Sequence, residues 1–476
     1  MGYSMHLRNR IISILVIATV TLGLFVYTGT ERRADAGEDA AATALSQQKE
    51  TIHFWYSDEA MTDFINSAAV AFGEAYDVRV FPQLVSEMAY VEAVNEATLR
   101  SDQMPDAYLI NHDSLEKAYL AGLAAEIQDP ERIVDSAHFS PAALDAVTYR
   151  NKLVGYPLFF ETSALLYNES YLSEWARQQA ERVAEEVPED AEEIADAEVS
   201  EEGETAIEVV VETLPLGLSA EEYMLYAIPA SMNDMLMIAD SFDLPEGVEG
   251  IFRWDVSDVF YNYYFVGNYL TVGGDTGDDK ENIDINNPET KACLEVYKSL
   301  NQFFSIESET VTYDSVIQDF IDGKIVFTIA TTDVIGRLAE AGSDGSFTYD
   351  YGIARLPDPS GGLAGRALSI TGTVAVNGYS EHQETANRFA SFLVGEYADE
   401  LYERSGKAPA NIGVDADNGA LMIFREEYAD SIPLPKLIET SNLWVQLELL
   451  FYRVWNGEDV NALVEELAEQ ILSQIS

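Results

Sequence analysis

Apolar residues between positions 51 and 122 follow two alternating spacings. Residues 51–56 and 78–85 are short runs rich in β-branched and aromatic side chains, and residues 104–110 lead into a third, a composition typical of strands. The intervals between these runs carry apolar residues at helical spacing, as from Met61 to Phe72. This alternation predicts an open, mostly parallel α/β sheet covered by helices on both faces.

The most apolar interior stretch is residues 151–168, and it contains a single carboxylate, Glu161. A run this apolar predicts a strand that is buried on both faces. A charge in such a strand is costly unless it is paired or lies in a wet cleft. Two interpretations are equally open: Glu161 faces a crevice, or it forms an ion pair at a strand end.

Other carboxylates follow the first and third predicted strands. Asp58 and Glu59 come directly after the first strand, and Asp113 follows the third. Ligands of open α/β sheets bind beyond the carboxyl ends of the strands, so we expect these three residues at a crevice. Helix N-capping is the equally weighted alternative for Asp58 and Asp113.

Composition narrows the possible partners. The chain has 476 residues, which suits two lobes better than one core, and 83 acidic against 27 basic residues give a formal net charge of -56. Such a surface repels nucleic acid and anionic membranes. The single cysteine, Cys293, excludes a disulfide within the chain, and five histidines argue against an imidazole metal site. We therefore expect no cofactor, no metal and no nucleic-acid partner.

The N-terminus carries an apolar segment. Arg8 and Arg10 precede a run over residues 11–29 that, as a helix, spans roughly 28 Å, close to the thickness of a bilayer core. Residues 1–36 are therefore predicted to be a cleaved signal peptide or a retained anchor, and residues 37–50 a spacer. Either alternative places the remaining chain outside the cytoplasm, secreted or held at the outer face of the cytoplasmic membrane.

Two later segments stand out by composition. Residues 181–212 are dominated by Glu and Asp, which predicts a solvated helix or a disordered insertion. Residues 254–274 carry so many aromatic rings that, as one helix, they cannot all be core, and we expect some of the tyrosines to face a pocket. Aromatic rings beside carboxylates suit a sugar ligand.

An ordered series of short motifs resembles the extracellular solute-binding proteins of ABC importers, of the maltodextrin and oligosaccharide type. The resemblance runs from about Thr51 to the C-terminus and fails only across the acidic insertion. The motifs are Trp55-Tyr56, Pro105-Asp106, Gly155-Tyr156-Pro157, Tyr167-Asn168, Gly323-Lys324 and Trp444.

The resemblance implies a two-lobed α/β fold of the periplasmic-binding-protein type with three crossings between the lobes. One lobe would comprise residues 50–160 plus 373–415, and the other residues 161–372 plus 416–476. A sugar or oligosaccharide would bind between them, and the protein, as a monomer, would deliver it to the transmembrane subunits of an ABC permease.

Individual site residues follow from the same resemblance. Tyr263 and Trp444 match positions that contact sugar in family members, and Tyr264 is a neighbour of the first. In the loop Thr331-Thr332-Asp333 many members carry a stacking aromatic residue that this chain lacks, which argues against a long maltodextrin and leaves Asp333 as the candidate. The lipid-modified cysteine that tethers many members is also missing after the apolar run.

Three alternatives remain open at this point. A secreted glycoside hydrolase needs two carboxylates across a scissile bond, for which Glu161 and Asp113 are the pair, but no separate acid–base signature is present, so we expect no enzyme. An anchored ligand-sensing or interaction module shares the same fold. A ferric ligand is the third, because paired tyrosines such as Tyr263 and Tyr264 bind iron in some binding proteins.

Overall fold

The computed structural model describes residues 49–85, 89–100, 104–186, 217–415, 418–440 and 442–475. Contacts divide the described residues into two units, residues 49–51 with 77–79 and residues 52–76 with the described residues from 80 onward. In the first unit Lys49 Nζ lies 2.6 Å from Asp77 Oδ1. The second unit contains the main sheet and the candidate site.

The described part of the chain contains fourteen strands. They are β1 (Thr51–Tyr56), β2 (Arg79–Leu84), β3 (Ala107–Asn111), β4 (Thr148–Tyr149), β5 (Lys152–Leu153), β6 (Tyr156–Asn168), β7 (Gly250–Phe252), β8 (Thr271–Gly273), β9 (Asp279–Asp284), β10 (Ile325–Thr331), β11 (Tyr351–Ala354), β12 (Leu368–Val376), β13 (Ala408–Pro409) and β14 (Ile432–Pro433).

The helices alternate with these strands. They are α1 (Thr62–Tyr76), α2 (Tyr90–Arg100), α3 (Leu115–Leu120), α4 (Pro141–Val147), α5 (Glu169–Glu186), α6 (Ala220–Tyr223), α7 (Met232–Ser241), α8 (Val259–Asn262), α9 (Pro288–Phe304), α10 (Tyr313–Ile321), α11 (Val334–Asp344), α12 (Gln383–Val394), α13 (Leu401–Ser405), α14 (Gly419–Asp430), α15 (Leu443–Trp455) and α16 (Val460–Ile475).

Ten strands form one sheet with the order β2-β1-β3-β12-β6-β10-β7, while β11 and β13 pair with β6 and β14 pairs with β12. β1 and β3 are parallel, as are β10 and β7, but β12 runs antiparallel to both β3 and β6. The strands and helices predicted between residues 51 and 122 are confirmed. The expectation of a mostly parallel sheet is wrong at its centre, because two long strands there run against their neighbours.

Strand β6 is shared by two groups of strands. Its first half pairs with β12 and β13, and its second half, from Ser163 onward, pairs with β10 and β11. Only Glu161 and Tyr167 of its 13 residues are not fully buried. The predicted burial on both faces is confirmed, and Glu161 lies next to the point where β6 changes partners.

The aromatic segment is not one helix. It forms the short helix α8, a 3-10 turn over Tyr263–Phe265 and then β8. Its rings pack inward against α9 and α15, with the ring centre of Phe265 5.1 Å from that of Tyr297 and Trp254 5.3 Å from Trp455. The predicted single helix is wrong, because these rings form the core on this side of the sheet.

Two predicted segments lie largely outside the described residues. These are the apolar N-terminal run with its spacer, apart from residues 49–50, and residues 187–212 of the acidic stretch, whose first six residues continue α5 to Glu186. Among the helices that the structure describes, none has the length and apolar character needed to cross a bilayer.

Candidate functional site

Two cavities share Glu161 and Lys407 in their walls. The first has a volume of about 390 Å³ and the second about 480 Å³. Polar and aromatic residues of the first wall are Ser57, Asp58, Tyr90, Glu92, Asn111, Asp113, Ser114, Lys117, Phe159, Glu161 and Lys407. The second wall is formed by Ala60, Glu161, Thr331, Thr332, Asp333, Gly336, Arg337, Tyr402, Ser405, Gly406 and Lys407.

The sheet explains why distant carboxylates meet in the first cavity. β1 and β3 are adjacent and parallel, with Phe54 opposite Ala107, so their carboxyl ends reach the same edge. Asp58 and Asp113 follow these ends and line the cavity. Asp58 and Asp113 therefore lie together at a cavity, while ligand binding by them stays a prediction.

Asp58 both caps the turn that follows β1 and faces the first cavity. Its Oδ1 accepts a hydrogen bond of 3.0 Å from the amide of Ala60 and so caps the following 3-10 turn. Its Oδ2 lies 3.1 Å from Nζ of Lys407. Capping fixes the side chain at the strand end, and this leaves one oxygen available to the cavity.

Glu161 is likewise both paired and cavity-facing. Its Oε1 lies 2.6 Å from Nζ of Lys407, whose ammonium is 5.2 Å from the centre of the Phe159 ring. Burial lowers the pKa of Lys407, but the carboxylates of Glu161 and Asp58 outweigh it, and the net pKa is raised. Lys407 is therefore a permanent cation at neutral pH.

Local structure delivers Lys407 to this position. Helix α13 ends at Gly406, which has the left-handed conformation with φ of 69°, available to glycine at little cost. The chain then enters β13, where Ala408 lies opposite Phe160 of β6. Lys407 is thereby placed beside Glu161.

Asp113 differs from the other two carboxylates. Burial raises its pKa, against hydrogen bonds from its own amide and that of Ser114. Its Oδ1 is buried and has no hydrogen-bond partner among the described residues. Asp113 thus lines the cavity with unused hydrogen-bonding capacity.

Asp333 lines the second cavity in a fixed geometry. The hydroxyl of Tyr313 donates to its Oδ1 at 2.8 Å, and Nε of Arg337 lies 2.9 Å from its Oδ2. Arg337 also lies over the Tyr313 ring at 5.3 Å, and the Tyr313 ring stacks on Tyr261 at 4.8 Å. The loop after β10 lacks an aromatic residue of its own, but aromatic rings stand beside it.

The tyrosine pair lies elsewhere. Tyr263 is 2% exposed and its hydroxyl donates to the carbonyl of Leu270 at 3.1 Å, while Tyr264 is fully buried. The expectation that both face a pocket is wrong. Counting rings does not show which way they point, and here the core on this side of the sheet takes them up.

Two further candidates lie outside these two walls. Glu59 is exposed beside Asp58. Trp444 is partly exposed; its ring stacks on Phe260 with centres 6.3 Å apart, and its Nε1 donates to Glu448 at 2.7 Å. In the described conformation neither residue lines the shared cavities.

Lys407, Tyr90 and Arg337 are wall residues that the sequence did not reveal. Lys407 and Glu161 are 246 residues apart in sequence, so no local sequence pattern predicts that they form an ion pair. The only available signal was indirect: a carboxylate inside an apolar strand calls for a cation. Within the described ranges, no group of three or more His, Cys, Asp or Glu side chains is arranged to hold a metal ion.

Comparison with known families decides the class of protein. The model for bacterial extracellular solute-binding proteins matches residues 67–421. The chain belongs to this family. As a member of this family it is a solute-binding protein that acts outside the cytoplasm. No curated protein sequence matches the chain.

Solved structures show the fold of this solute-binding protein. It is similar to the extracellular solute-binding protein from Staphylococcus aureus in complex with maltose, with 18% identity, a TM-score of 0.68, and coverage of 90% of this chain and 98% of that one. It is also similar to a cyclo/maltodextrin-binding protein complexed with maltotetraose, with 17% identity, a TM-score of 0.69, and coverage of 90% of this chain and 98% of that one. The Thermus thermophilus maltotriose-binding protein has 18% identity and a TM-score of 0.62, with coverage of 89% of this chain and 100% of that one.

At these identities the likeness concerns the fold. The solute-binding protein has the mixed α/β, two-lobed fold of periplasmic binding proteins, and the sequence prediction of that fold is confirmed. In this fold the shared strand β6 and its neighbour β12 are the long central strands around which the rest is arranged.

Proposed function

We propose that this protein captures a sugar or oligosaccharide between its two lobes outside the cytoplasmic membrane and delivers it to an ABC permease. The observation that carries the proposal is the meeting of Asp58, Asp113, Glu161 and Asp333 in the walls of two cavities that share Lys407. All four were selected from the sequence as sugar contacts, and the chain belongs to the solute-binding family.

The chemistry of the walls suits sugar hydroxyls. Carboxylates held by a cation keep their orientation and accept hydrogen bonds from hydroxyl groups. The rings of Tyr90, Phe159 and Tyr402 stand in the same walls and offer apolar faces to a pyranose. Two similar structures are complexes with maltose and with maltotetraose, which supports the same ligand class.

Closure of the lobes is the proposed functional event. With lobes of residues 50–160 plus 373–415 and 161–372 plus 416–476, the second cavity draws Ala60 and Tyr402 from one lobe and Thr332 and Asp333 from the other. A rigid-body rotation about the central strands changes the distance between these walls. Closure would also bring Trp444 and Glu59, which lie outside the two walls, closer to a bound ligand.

Delivery and retention complete the proposal. The closed, monomeric protein docks on the transmembrane subunits of the permease. Residues 11–29 either anchor it to the outer face of the membrane or direct its secretion.

A glycoside hydrolase is the second candidate, because one observation favours it. Asp113 and Glu161 line the same cavity, and burial raises the pKa of Asp113 as a general acid requires. The ion pair of Glu161 with Lys407 suits binding better than attack, since the ammonium at Oε1 stabilises the carboxylate charge and so lowers its nucleophilicity. Release of reducing ends from any bound oligosaccharide would establish the hydrolase and overturn the transport proposal.

A thermal-shift screen tests the proposal. The purified protein is heated with mono- and oligosaccharides, amino acids, polyamines and iron. A ligand that binds only the folded protein adds roughly 2.7 kcal/mol at one hundred times its Kd. We expect a sugar to raise the melting temperature, Glu161→Gln to abolish the shift, and the exposed Glu465→Gln to leave it unchanged. A shift from iron or an amino acid alone contradicts the proposal.

A further inference from the structure

Charges in the wall of the first cavity do not balance. Glu92 pairs with Lys117, and Asp58 and Glu161 share the single ammonium of Lys407. Asp113, in the same wall, has no ion-pair partner among the described residues. Once the Glu92 pair is set aside, three acidic side chains stand against one cation, and burial disfavours the ionised form of Asp113 until a cation lies against it.

The second wall is balanced, with Glu161 and Asp333 against Lys407 and Arg337, but each of its cations is shared with a carboxylate outside that wall. Arg337 is shared by Asp333, at 2.9 Å, and Asp314, at 2.6 Å. Glu161 also belongs to this wall and shares Lys407 with Asp58. Withdrawing water from such walls is unfavourable unless the ligand itself brings positive charge, because a carboxylate loses its hydration and gains no counter-ion.

Two residues of the first wall carry polar atoms with unused hydrogen-bonding capacity. Asp113 Oδ1 and the Tyr90 hydroxyl are both buried, and neither has a hydrogen-bond partner within the described part of the chain. Buried polar atoms are nearly always paired in folded proteins, so an unpaired acceptor and an unpaired hydroxyl on two residues of one wall point to a ligand group that a small side-chain rotation would bring within reach. The acceptor is a carboxylate, and its strongest partner is a charged donor.

A metal ion is a poor candidate for that donor. The described residues contain no cluster of His, Cys, Asp or Glu with the geometry of a metal site. The wall also carries the rings of Tyr90 and Phe159, and the ammonium of Lys407 already lies 5.2 Å from the Phe159 ring centre. Rings beside carboxylates are the surroundings that organic ammonium groups prefer.

We propose that the first cavity binds an amino sugar, with the ammonium group of the sugar against Asp113 and its ring beside Tyr90 and Phe159. This inference rests on the proposed function and specifies its ligand class. Lys407 then fixes Asp58 and Glu161 for the neutral hydroxyls, while Asp113 is the residue that selects the charged group.

Sugars that differ only at carbon 2 give the sharpest test. Isothermal titration at about pH 6, where an amine is protonated, compares glucosamine, glucose and N-acetylglucosamine, and then the β-1,4-linked trimers of each. We expect the amine-bearing sugar to bind at least about tenfold more tightly than its hydroxyl counterpart. Added salt should weaken the amine-bearing sugar more than the neutral one.

Variants assign the preference to one residue. Asp113→Asn should cost the amino sugar at least about tenfold in affinity and the neutral sugar less than about threefold. Glu465→Gln removes one negative charge from the exposed face of α16, far along the chain from the cavity walls, and should change neither affinity. The ligand comparison is made in the unchanged protein, so it stands even if Asp113→Asn does not fold.

The outcomes separate the two proposals. If a neutral or N-acetylated sugar binds as tightly as the amino sugar, the inference fails and the proposed function stands. If no sugar binds, both fail together. If spermidine binds in preference to every sugar, the cavity recognises an ammonium group but the sugar assignment is wrong.

Discussion

Two lysines show how differently one residue type is used in this fold. Lys407 lies in the walls of both cavities, which together are called the cleft. Its side chain is 22% exposed and is held by two carboxylates that raise its pKa. Lys436 is 1% exposed, and its Nζ donates to the carbonyls of Asp145 and Ala146 at the end of α4, at 2.8 and 3.2 Å.

The difference lies in what compensates the charge. Burial lowers the pKa of Lys436 to about 8, although Asp278, Asp145 and Glu116 partly oppose this. Lys407 is oriented by full ion pairs and remains accessible to a cavity. Under the proposed function, the cleft keeps Lys407 for ligand recognition, whereas the charge of Lys436 stabilises the buried region around it.

The largest expected effect concerns the buried region. Glu116 is 1% exposed and accepts hydrogen bonds from the Tyr149 hydroxyl at 2.9 Å and from the Ile438 amide at 2.6 Å. Glu116→Ala leaves both donors unpaired and removes a carboxylate near Lys436, so the free energy of unfolding should fall by about 3–5 kcal/mol in urea titration.

Glu161→Ala is the matching change in the cleft. Because Glu161 is partly exposed, it should lower the free energy of unfolding by only about 1 kcal/mol while abolishing sugar binding. Equal losses of stability in the two variants would contradict the division into a structural and a binding region.

The next effect is acid sensitivity of the buried region. His112 is fully buried; its Nδ1 accepts from the amide of Thr371 at 3.0 Å and its Nε2 donates to the carbonyl of Leu434 at 2.9 Å. Burial, aided by Lys436, lowers the pKa of His112 to about 3. Between this value and 6.5 the unfolded chain binds the extra proton, so stability falls as pH falls, by about 1.4 kcal/mol per unit.

A variant isolates that contribution. Urea titrations of the protein and of His112→Gln, repeated between about pH 7 and 4, should differ in slope by this amount. The variant loses stability at every pH, but its slope is the readout. Parallel curves would show that His112 does not remain neutral in the folded protein.

Alkaline pH sharpens the comparison of the lysines. From about pH 8 to 10.5 the unfolded chain retains a proton on Lys436 that the folded protein releases, so stability from this group rises with pH. Lys407, with its raised pKa, keeps its proton throughout that interval and contributes a loss only above 10.5. Lys436→Met should remove the rise of about 1.4 kcal/mol per pH unit, and Lys407→Met should not.

The smallest expected effect is on the stability of the cleft itself. Lys407→Met leaves Asp58 and Glu161 without their shared cation in a partly exposed site, and the free energy of unfolding should fall by about 1 kcal/mol at pH 7. The fall should shrink in high salt, because salt screens the two carboxylates. A loss that is large and independent of salt would show that Lys407 belongs to the structural class.

Much of the fold could be predicted because it depends on local patterns. The apolar run of strand β6 predicted that the strand is buried on both faces. The alternation of strands and helices predicted the strand ends that Asp58 and Asp113 follow. Residues far apart in sequence escaped prediction. Lys407 meets Glu161 only because β13 pairs with β6, and the inward direction of Tyr263 depends on helices that come later in the chain.

A crystal structure of the protein with the sugar that gives the largest thermal shift tests the central claim most directly. We predict that the sugar occupies the two cavities, with hydroxyl or amine groups within hydrogen-bond distance of Glu161 and Asp113, and that the lobes close over it. A sugar bound away from Lys407, or cavities that stay empty at saturating sugar, would contradict the account.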